Sequence, residues 1–280
     1  MDIGVTMFPT DLSIQPAALA RAVEERGFSS LYFPEHTHIP TSRRTPWANG
    51  PVMPEEYKRT HDPFVALATA AAVTERIQVG TSICLVAERD PIVTAKQVAS
   101  LDMVSGGRFV FGIGVGWNEE EMEHHGVDPR RRRSVVREKV LAMKELWAED
   151  EASFSGEFVN FSPSWSWPKP VQQPHPPVIL GGVGGPVTFR HVIEYCDGWF
   201  PFGYRGPIGD KVAELRRQSE DAGRDPATIR IKSFGPRPEP EALAEHAALG
   251  SEEAVLIVPA KGPDDVLPVL DRYAGLLGTV

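Results

Sequence analysis

Short apolar runs alternate with longer amphipathic stretches from one end of the chain to the other. Eight of the short runs, at 3–7, 31–34, 77–83, 108–115, 177–180, 198–200, 229–233 and 254–258, are rich in Val, Ile and Phe. Several are apolar on both sides of the two-residue alternation, the pattern of strands covered on both faces in a parallel sheet. The helical stretches have start signals: Pro16 before 17–25, Asp62-Pro63 before 64–74, Asp90-Pro91 before 92–104, Asp128-Pro129 before the run to 147, Pro186 before 187–195 and Asp264 before 266–277. Asp followed by Pro gives a capping side chain and then a residue whose missing N–H is not needed at the first helical position. Gly27, Gly106, Gly223 and Gly250 stand where helices end. Eight strand-then-helix units in 280 residues predict an α/β protein with a (β/α)8 TIM barrel, one domain over 1–280. An open doubly wound sheet is the other topology this pattern allows.

Two stretches depart from the repeat. The connection 35–61 has no periodic pattern and carries Pro40, Pro46, Pro51 and Pro54. The segment 152–173 reads as a hairpin, with Phe154 and Phe158 around Ser155-Gly156-Glu157, followed by a Trp- and Pro-rich stretch. Loops this long inside a barrel are usually functional. Both are read as insertions at the C-terminal ends of strands, the lid and wall of one pocket on the face where such barrels place their chemistry.

Composition narrows the classes. Hydrophobic residues at 41% and charged residues at 24% are ordinary for a globular protein and exclude a disordered or fibrous chain. A net charge of −9 argues against a general nucleic-acid binder. The first thirty residues lack a basic segment followed by an apolar stretch, and no run of about 18 apolar residues occurs, so neither a signal peptide nor a membrane span is predicted. A cytoplasmic protein is expected. The two cysteines, Cys84 and Cys196, lie in apolar elements and are read as reduced packing residues.

Candidate chemistry begins at Pro34-Glu35-His36-Thr37-His38, which ends the second strand. A His-x-His metal site would need further ligands at other strand ends, and these read Gly181-Gly182, Phe200-Pro201-Phe202, Phe234-Gly235 and Pro259. No metal is therefore expected. Glu35 and His36 as a proton-transfer pair need no further ligands; a histidine that merely closes a loop is the other reading. Gly112-Ile113-Gly114-Val115-Gly116 leaves the fourth strand but lacks the dinucleotide-binding spacing, and basic Arg132 stands where that fingerprint has an acid.

Gly114 and Gly116 would let a flat ring approach the backbone, or simply shape a tight barrel rim. Asn118 and Glu121 resemble a capping box, and three acids in that first helical turn repel phosphate. Gly181-Gly182-Val183-Gly184-Gly185-Pro186, a glycine loop opening a helix without an acid before Glu194, is the better anion site. The basic run Arg130 to Arg133 is a solvated helix face or a contact for an anionic cofactor tail. Trp165, Trp167, Trp199 and Phe202 are pocket walls or core.

Taken in order, Val79-Gly80-Thr81-Ser82, then Leu101-Asp102-Met103-Val104-Ser105-Gly106-Gly107-Arg108-Phe109 into the glycine run and Trp117, then Gly181-Gly182 and Cys196-Asp197-Gly198-Trp199, resemble the bacterial-luciferase-like superfamily over nearly the whole chain. Residues 34–41 and Gly116-Trp117-Asn118 are similar to its branch that uses the deazaflavin coenzyme F420. The resemblance implies a barrel with the cofactor ring across the strand C-termini, an insertion near the fifth strand, and a homodimer. It implies hydride transfer between a small organic substrate and F420, with His36 and Glu35 catalytic. It places Thr81, Ser82, Ile83, Gly114, Gly116 and Trp117 around the ring, with a non-prolyl cis peptide at Ser82-Ile83, and Gly181 and Gly182 at the ribityl phosphate. An FMN-dependent monooxygenase and a non-catalytic flavin-binding relative are the alternatives on the same barrel. Trp117 stands where sugar-phosphate dehydrogenases of this kind have a glutamate, which implies a more apolar substrate.

Overall fold

The computed structural model describes residues 1–47 and 50–279; Ala48 and Asn49 of the 35–61 connection, and Val280, lie outside the described residues. The strands are β1 (Asp2–Thr6), β2 (Ser30–Phe33), β3 (Gln78–Thr81), β4 (Cys84–Leu85), β5 (Phe109–Gly114), β6 (Ala152–Ser155), β7 (Asn160–Ser164), β8 (Val178–Gly181), β9 (Gly198–Phe200), β10 (Arg230–Phe234) and β11 (Glu253–Ile257). The helices are α1 (Pro16–Glu25), α2 (Pro63–Ala71), α3 (Pro91–Val104), α4 (Glu119–His124), α5 (Arg132–Ala148), α6 (Pro186–Tyr195), α7 (Gly209–Asp221), α8 (Pro240–Ala248) and α9 (Pro263–Ala274). Parallel pairing runs β3-β2-β1-β11-β10-β9-β8-β5, and a further β3–β5 pairing, Val79 opposite Phe109, closes the ring. This is the eight-stranded barrel that the alternating pattern predicts.

Local chemistry explains most element boundaries. Asp62 accepts the Val65 N–H at 3.0 Å and Asp90 the Val93 N–H at 2.8 Å, so both Asp-Pro pairs start helices as read. Asp128 first caps a 3₁₀ turn, Pro129–Arg131, and α5 begins after it. At the last helix Gly262 is the cap and Pro263 the first residue, which leaves Asp264 in the first turn instead of at the cap. The apolar run 77–83 proves to be interrupted: β3 stops at Thr81, the Ser82–Ile83 peptide is cis as the resemblance implies, and Cys84 resumes pairing opposite Ile113.

Side-chain alternation builds two cores. One packs the outer faces of the strands against the helices; the other, of Tyr32, Val110, Ile179, Phe200 and Val255, fills the barrel. Within the barrel lies a polar layer in which Lys232 Nζ donates to Glu253 Oε2 at 2.7 Å. Tyr32 Oη donates to that oxygen at 3.0 Å, and Ser29 and Ser30 to Oε1 at 2.7 and 2.5 Å. Gly4 makes room for it, since a Cβ there would sit 1.9 Å from Ser30 Oγ. Burial opposes both charges, yet the facing Lys232 and Glu253 hold each other ionised, the ammonium pushed up and the carboxylate down from their ordinary values.

The 152–173 segment corrects two expectations. Its hairpin pairs Phe154 with Phe161, not with Phe158, across a longer turn whose N–H groups at Glu157, Phe158 and Val159 all point to the Glu138 carboxylate. It also follows α5 instead of a strand, which brings it out at the N-terminal end of the barrel. There Gln172 binds Asp102 and the Phe109 carbonyl, and the segment takes no part in the cavity described below. Cys84 and Cys196 are both buried and free. Among the described residues no helix is long and apolar enough to cross a membrane.

Candidate active site

A cavity of about 870 Å³ opens at the C-terminal ends of the strands, and every barrel strand contributes to its wall at or just past its end, among them Met7, His36, Ile83, Trp117, Gly182, Phe202, Phe234 and Val258. That is the face on which (β/α)8 barrels place their chemistry. The 35–61 connection covers one side with Trp47, Pro54, Glu56 and Tyr57, the lid expected of it.

His36 sits at the rim, 8% exposed. Its Nδ1 lies 2.7 Å from Glu121 Oε2, and its Nε2 accepts the Trp117 indole N–H at 3.3 Å. An indole nitrogen only donates, so Nε2 must carry the lone pair and Nδ1 the proton. The basic nitrogen therefore faces the cavity while a buried carboxylate stands behind the ring. This orienting carboxylate is Glu121, not the neighbouring Glu35. Glu35 instead accepts the Leu85 N–H at 2.7 Å and the Arg89 Nε–H at 2.6 Å, and Arg89 also reaches Asp62. Just past the end of β2 the two side chains take different partners, so neighbours in sequence do not become partners in the fold.

Glu121 also takes the Thr37 N–H at 3.1 Å, and Glu120 those of Arg44 and Thr45. The acids of the first turn of α4 thus anchor the lid, and Asn118 makes no side-chain cap. His38 turns away from His36: its Nε2 lies 2.8 Å from His124 Nδ1, and Thr37 Oγ1 bridges His38 and His125.

The remaining predicted residues divide. Ser82, Ile83, Gly116, Trp117, Gly181 and Gly182 line the cavity. Thr81 and Gly114 do not: the Thr81 hydroxyl is fully buried on the Gly112 carbonyl at 2.6 Å. A Cβ on Gly114 would meet Ile83 Cδ1 at 1.6 Å, and one on Gly181 would meet Ile83 Cγ2 at 2.6 Å. These two glycines make room for the Ile83 side chain, a contact that glycine spacing alone could not reveal. Gly182 has open space where its Cβ would be, and it adjoins Val183 and Thr188 at the start of α6.

The basic run splits. Arg130 pairs with Asp128 and Arg131 with Glu157, both outside the cavity, while Arg132 and Arg133 line it. Arg132 Nη1 lies 3.6 Å from Glu119 Oε1, whereas among the described residues no carboxylate lies within 4.0 Å of Arg133, whose pKa is lowered by burial together with the charge of Arg132. Two guanidinium groups beside a glycine loop and a helix N-terminus suit an anionic tail, as of a phosphate-bearing cofactor.

Beneath the floor lies Glu88, whose Oε1 would be 3.4 Å from a Cβ on Gly116. Neither of its oxygens has a hydrogen-bond partner among the described residues. Burial first, then the charges of Glu121 and Glu35, push its carboxyl up to about 9, against the weaker pull of Lys139 and Arg89. The unfolded group titrates near 4.5. Its stability contribution is thus fully present below that pH and is lost as pH rises to about 9, by at most about 1.4 kcal/mol per pH unit. Glu88→Gln should remove this slope: in thermal unfolding, the Tm advantage of the variant should widen by several degrees from pH 5 to pH 8. A gap that stays constant would show that the acid is already ionised.

The chain belongs to the luciferase-like monooxygenase family, whose pattern it matches over residues 15–248. It is 42% identical to uncharacterized protein Rv0953c of Mycobacterium tuberculosis over 280 residues, 99% of each chain. It is 31% identical to the F420-dependent glucose-6-phosphate dehydrogenase of Gordonia bronchialis over 237 residues, 79% of this chain and 64% of that protein. Its fold superposes on the monooxygenase RslO1 of Streptomyces bottropensis with a TM-score of 0.78 at 21% identity, covering 99% of this chain and 98% of that one. Fold, family and site together define a luciferase-like oxidoreductase.

Proposed function

We propose that the protein transfers hydride between a small organic substrate and the deazaflavin coenzyme F420, with His36 taking or giving the proton at Nε2. The observation that carries this reading is the His36–Glu121 pair: a buried carboxylate fixes the ring, and His36 lines a cavity that Arg132 and Arg133 line as well. When bound, a deazaflavin supplies two-electron hydride chemistry. Arg132, Arg133, Thr188 and the backbone at Gly182 would hold its acidic tail, and Ser82, Ile83, Gly116 and Gly181 would border the ring. As His36 gains a proton, Glu121 stabilises the resulting imidazolium. Glu35 acts through structure, tying β2 to Leu85 and Arg89. Within this proposal the protein is a homodimer, for which α2 and α3 present the exposed Val65, Ile92 and Val93 to a second copy.

The test is a parallel titration of the apoprotein with F420 and FMN, read by fluorescence quenching and calorimetry. Micromolar F420 binding with FMN at least about a hundredfold weaker, roughly 2.7 kcal/mol, is expected. The reverse preference would move the reading to an FMN-dependent monooxygenase, and binding of neither would favour a non-catalytic relative. Light scattering on the same sample gives the assembly mass, and a single-chain mass of 30.8 kDa would refute the dimer.

A further inference from the structure

We propose that His38 on the lid and His124 on α4 form a pH-sensitive latch, which holds the 35–61 segment over the cavity while at least one of the two rings is neutral and releases it when both are protonated. The inference concerns access to the cavity and is independent of the cofactor it receives. The lid is held at both ends. At the far end the His61 N–H donates to the Pro9 carbonyl at 2.8 Å, and Arg59 pairs with Asp11 at 2.9 Å. The near end rests on α4. There Glu121 takes the Thr37 N–H, Glu120 those of Arg44 and Thr45, and Glu123 the Arg44 guanidinium at 2.6 Å, while the Glu119 N–H donates to Thr45 Oγ1 at 3.3 Å.

Three imidazoles complete that near end. His125 Nε2 lies 2.8 Å from Thr37 Oγ1, which lies 2.9 Å from His38 Nδ1. His38 Nε2 lies 2.8 Å from His124 Nδ1, and these two rings stack with centroids 5.1 Å apart and planes at 12°. A neutral imidazole offers one donor and one acceptor, and a hydroxyl donates once. With the rings neutral, or with one proton added to any of them, each link still has one donor and one acceptor. A second proton has two places to go. On His125 it is opposed by burial and then by the charge of His38, which lower that pKa. On the stacked pair it sets N–H against N–H at 2.8 Å, where a hydrogen bond gives way to repulsion between two cations.

The charges around these rings come from several elements. Glu121 of α4 and Glu35 at the end of β2 favour protonation of His125, and Lys139 of α5 opposes it along with His38. Glu123, beside His124, is taken up by Arg44, and Glu119 faces Arg132. Against the cost of burial, the Arg44 N–H and the Thr45 hydroxyl and N–H hold the Glu120 carboxyl down to about 2, so that anchor keeps its charge where imidazoles titrate. The closed lid cannot carry a proton on both His38 and His124, and the released lid can. Closure is therefore full above the ordinary imidazole value of about 6.5 and is lost as pH falls, the open-to-closed ratio rising by at most about tenfold per pH unit for each extra proton. Because Trp47 and Tyr57 of the same segment wall the cavity, release uncovers it.

Fluorine NMR of the apoprotein labelled with 5-fluorotryptophan, from about pH 8 to about pH 5, tests this. Trp47 reports on the lid through its contact with Tyr57, 5.9 Å between ring centroids, and Trp47→Phe assigns its resonance. In the parent protein the closed Trp47 signal should give way to a second one, the ratio of the two rising at least about tenfold between about pH 6.5 and about pH 5. His124→Asn sets an amide where Nδ1 stood, and His38→Gln sets one where Nε2 stood. Each keeps the link between lid and helix without a titrating ring, so each should hold the closed signal down to about pH 5. A Trp47 signal that does not change with pH in the parent, or an acid transition that persists in either variant, would overturn the inference.

Discussion

Replacing His36 by alanine is expected to lower turnover by about two to four orders of magnitude, the range that a positioned acid–base group contributes. The affinity for F420 should stay within about threefold of the parent, because the imidazole's hydrogen bonds go to Glu121 and Trp117 and not to Arg132 or Arg133. Glu121→Gln separates two functions of the carboxylate. The amide oxygen can still accept the Nδ1 proton and hold the ring, but the negative charge is gone and the amide nitrogen can no longer accept the Thr37 N–H, so turnover should fall by a smaller factor, about tenfold, with the pH profile displaced. Single-turnover rates read from the absorbance of the deazaflavin, with a substrate on which the wild type turns over, decide the matter. Unchanged turnover in the alanine variant would remove His36 from the chemistry. An unchanged profile in the glutamine variant would reduce Glu121 to a lid anchor, a part it already plays through the Thr37 N–H.

The largest stability effect is expected inside the barrel. Lys232→Met fills nearly the same volume but leaves Glu253 buried without its cation, and loss of one partner of a buried pair costs about 3 to 5 kcal/mol. The three hydroxyls of Ser29, Ser30 and Tyr32 still donate to the carboxylate and favour the lower end. In a chain of this size that corresponds to a fall in Tm of roughly 10 °C. Adding Glu253→Gln to the same chain removes the stranded charge and should recover more than half of the loss. Equal melting temperatures for the single and double variants would mean that lost packing, not an uncompensated charge, sets the cost.

Much of the site was legible before the fold was known, because several features are local. His36 follows directly from the end of an apolar run, and the Asp62 and Asp90 caps act within three residues of themselves. Ser82 and Ile83 mark an interruption that an apolar window reads as one strand. Glu121 carries a signal too, as the third acid of a helical turn, but a capping-box pattern accounts for such an acid locally. Its partners Thr37 and His36 are 84 and 85 residues away. Glu35 stands next to His36 in sequence, but Arg89, 54 residues away, holds its carboxylate.

The amino-acid sequence by itself determined the eight strands of the barrel and their order, the barrel they form, and the rim at which the candidate site lies. Those follow from periodicity, caps and turn residues, which act over a few positions and leave a trace at each. Tertiary structure alone decided which carboxylate orients His36, which two of four consecutive arginines face the cavity, and that Gly114 and Gly181 yield space to Ile83. It also decided that the 152–173 hairpin lies at the opposite end from the lid. These outcomes depend on which groups meet when distant segments close into a ring, and a hydrogen bond or steric contact across that ring has no signature in either segment alone.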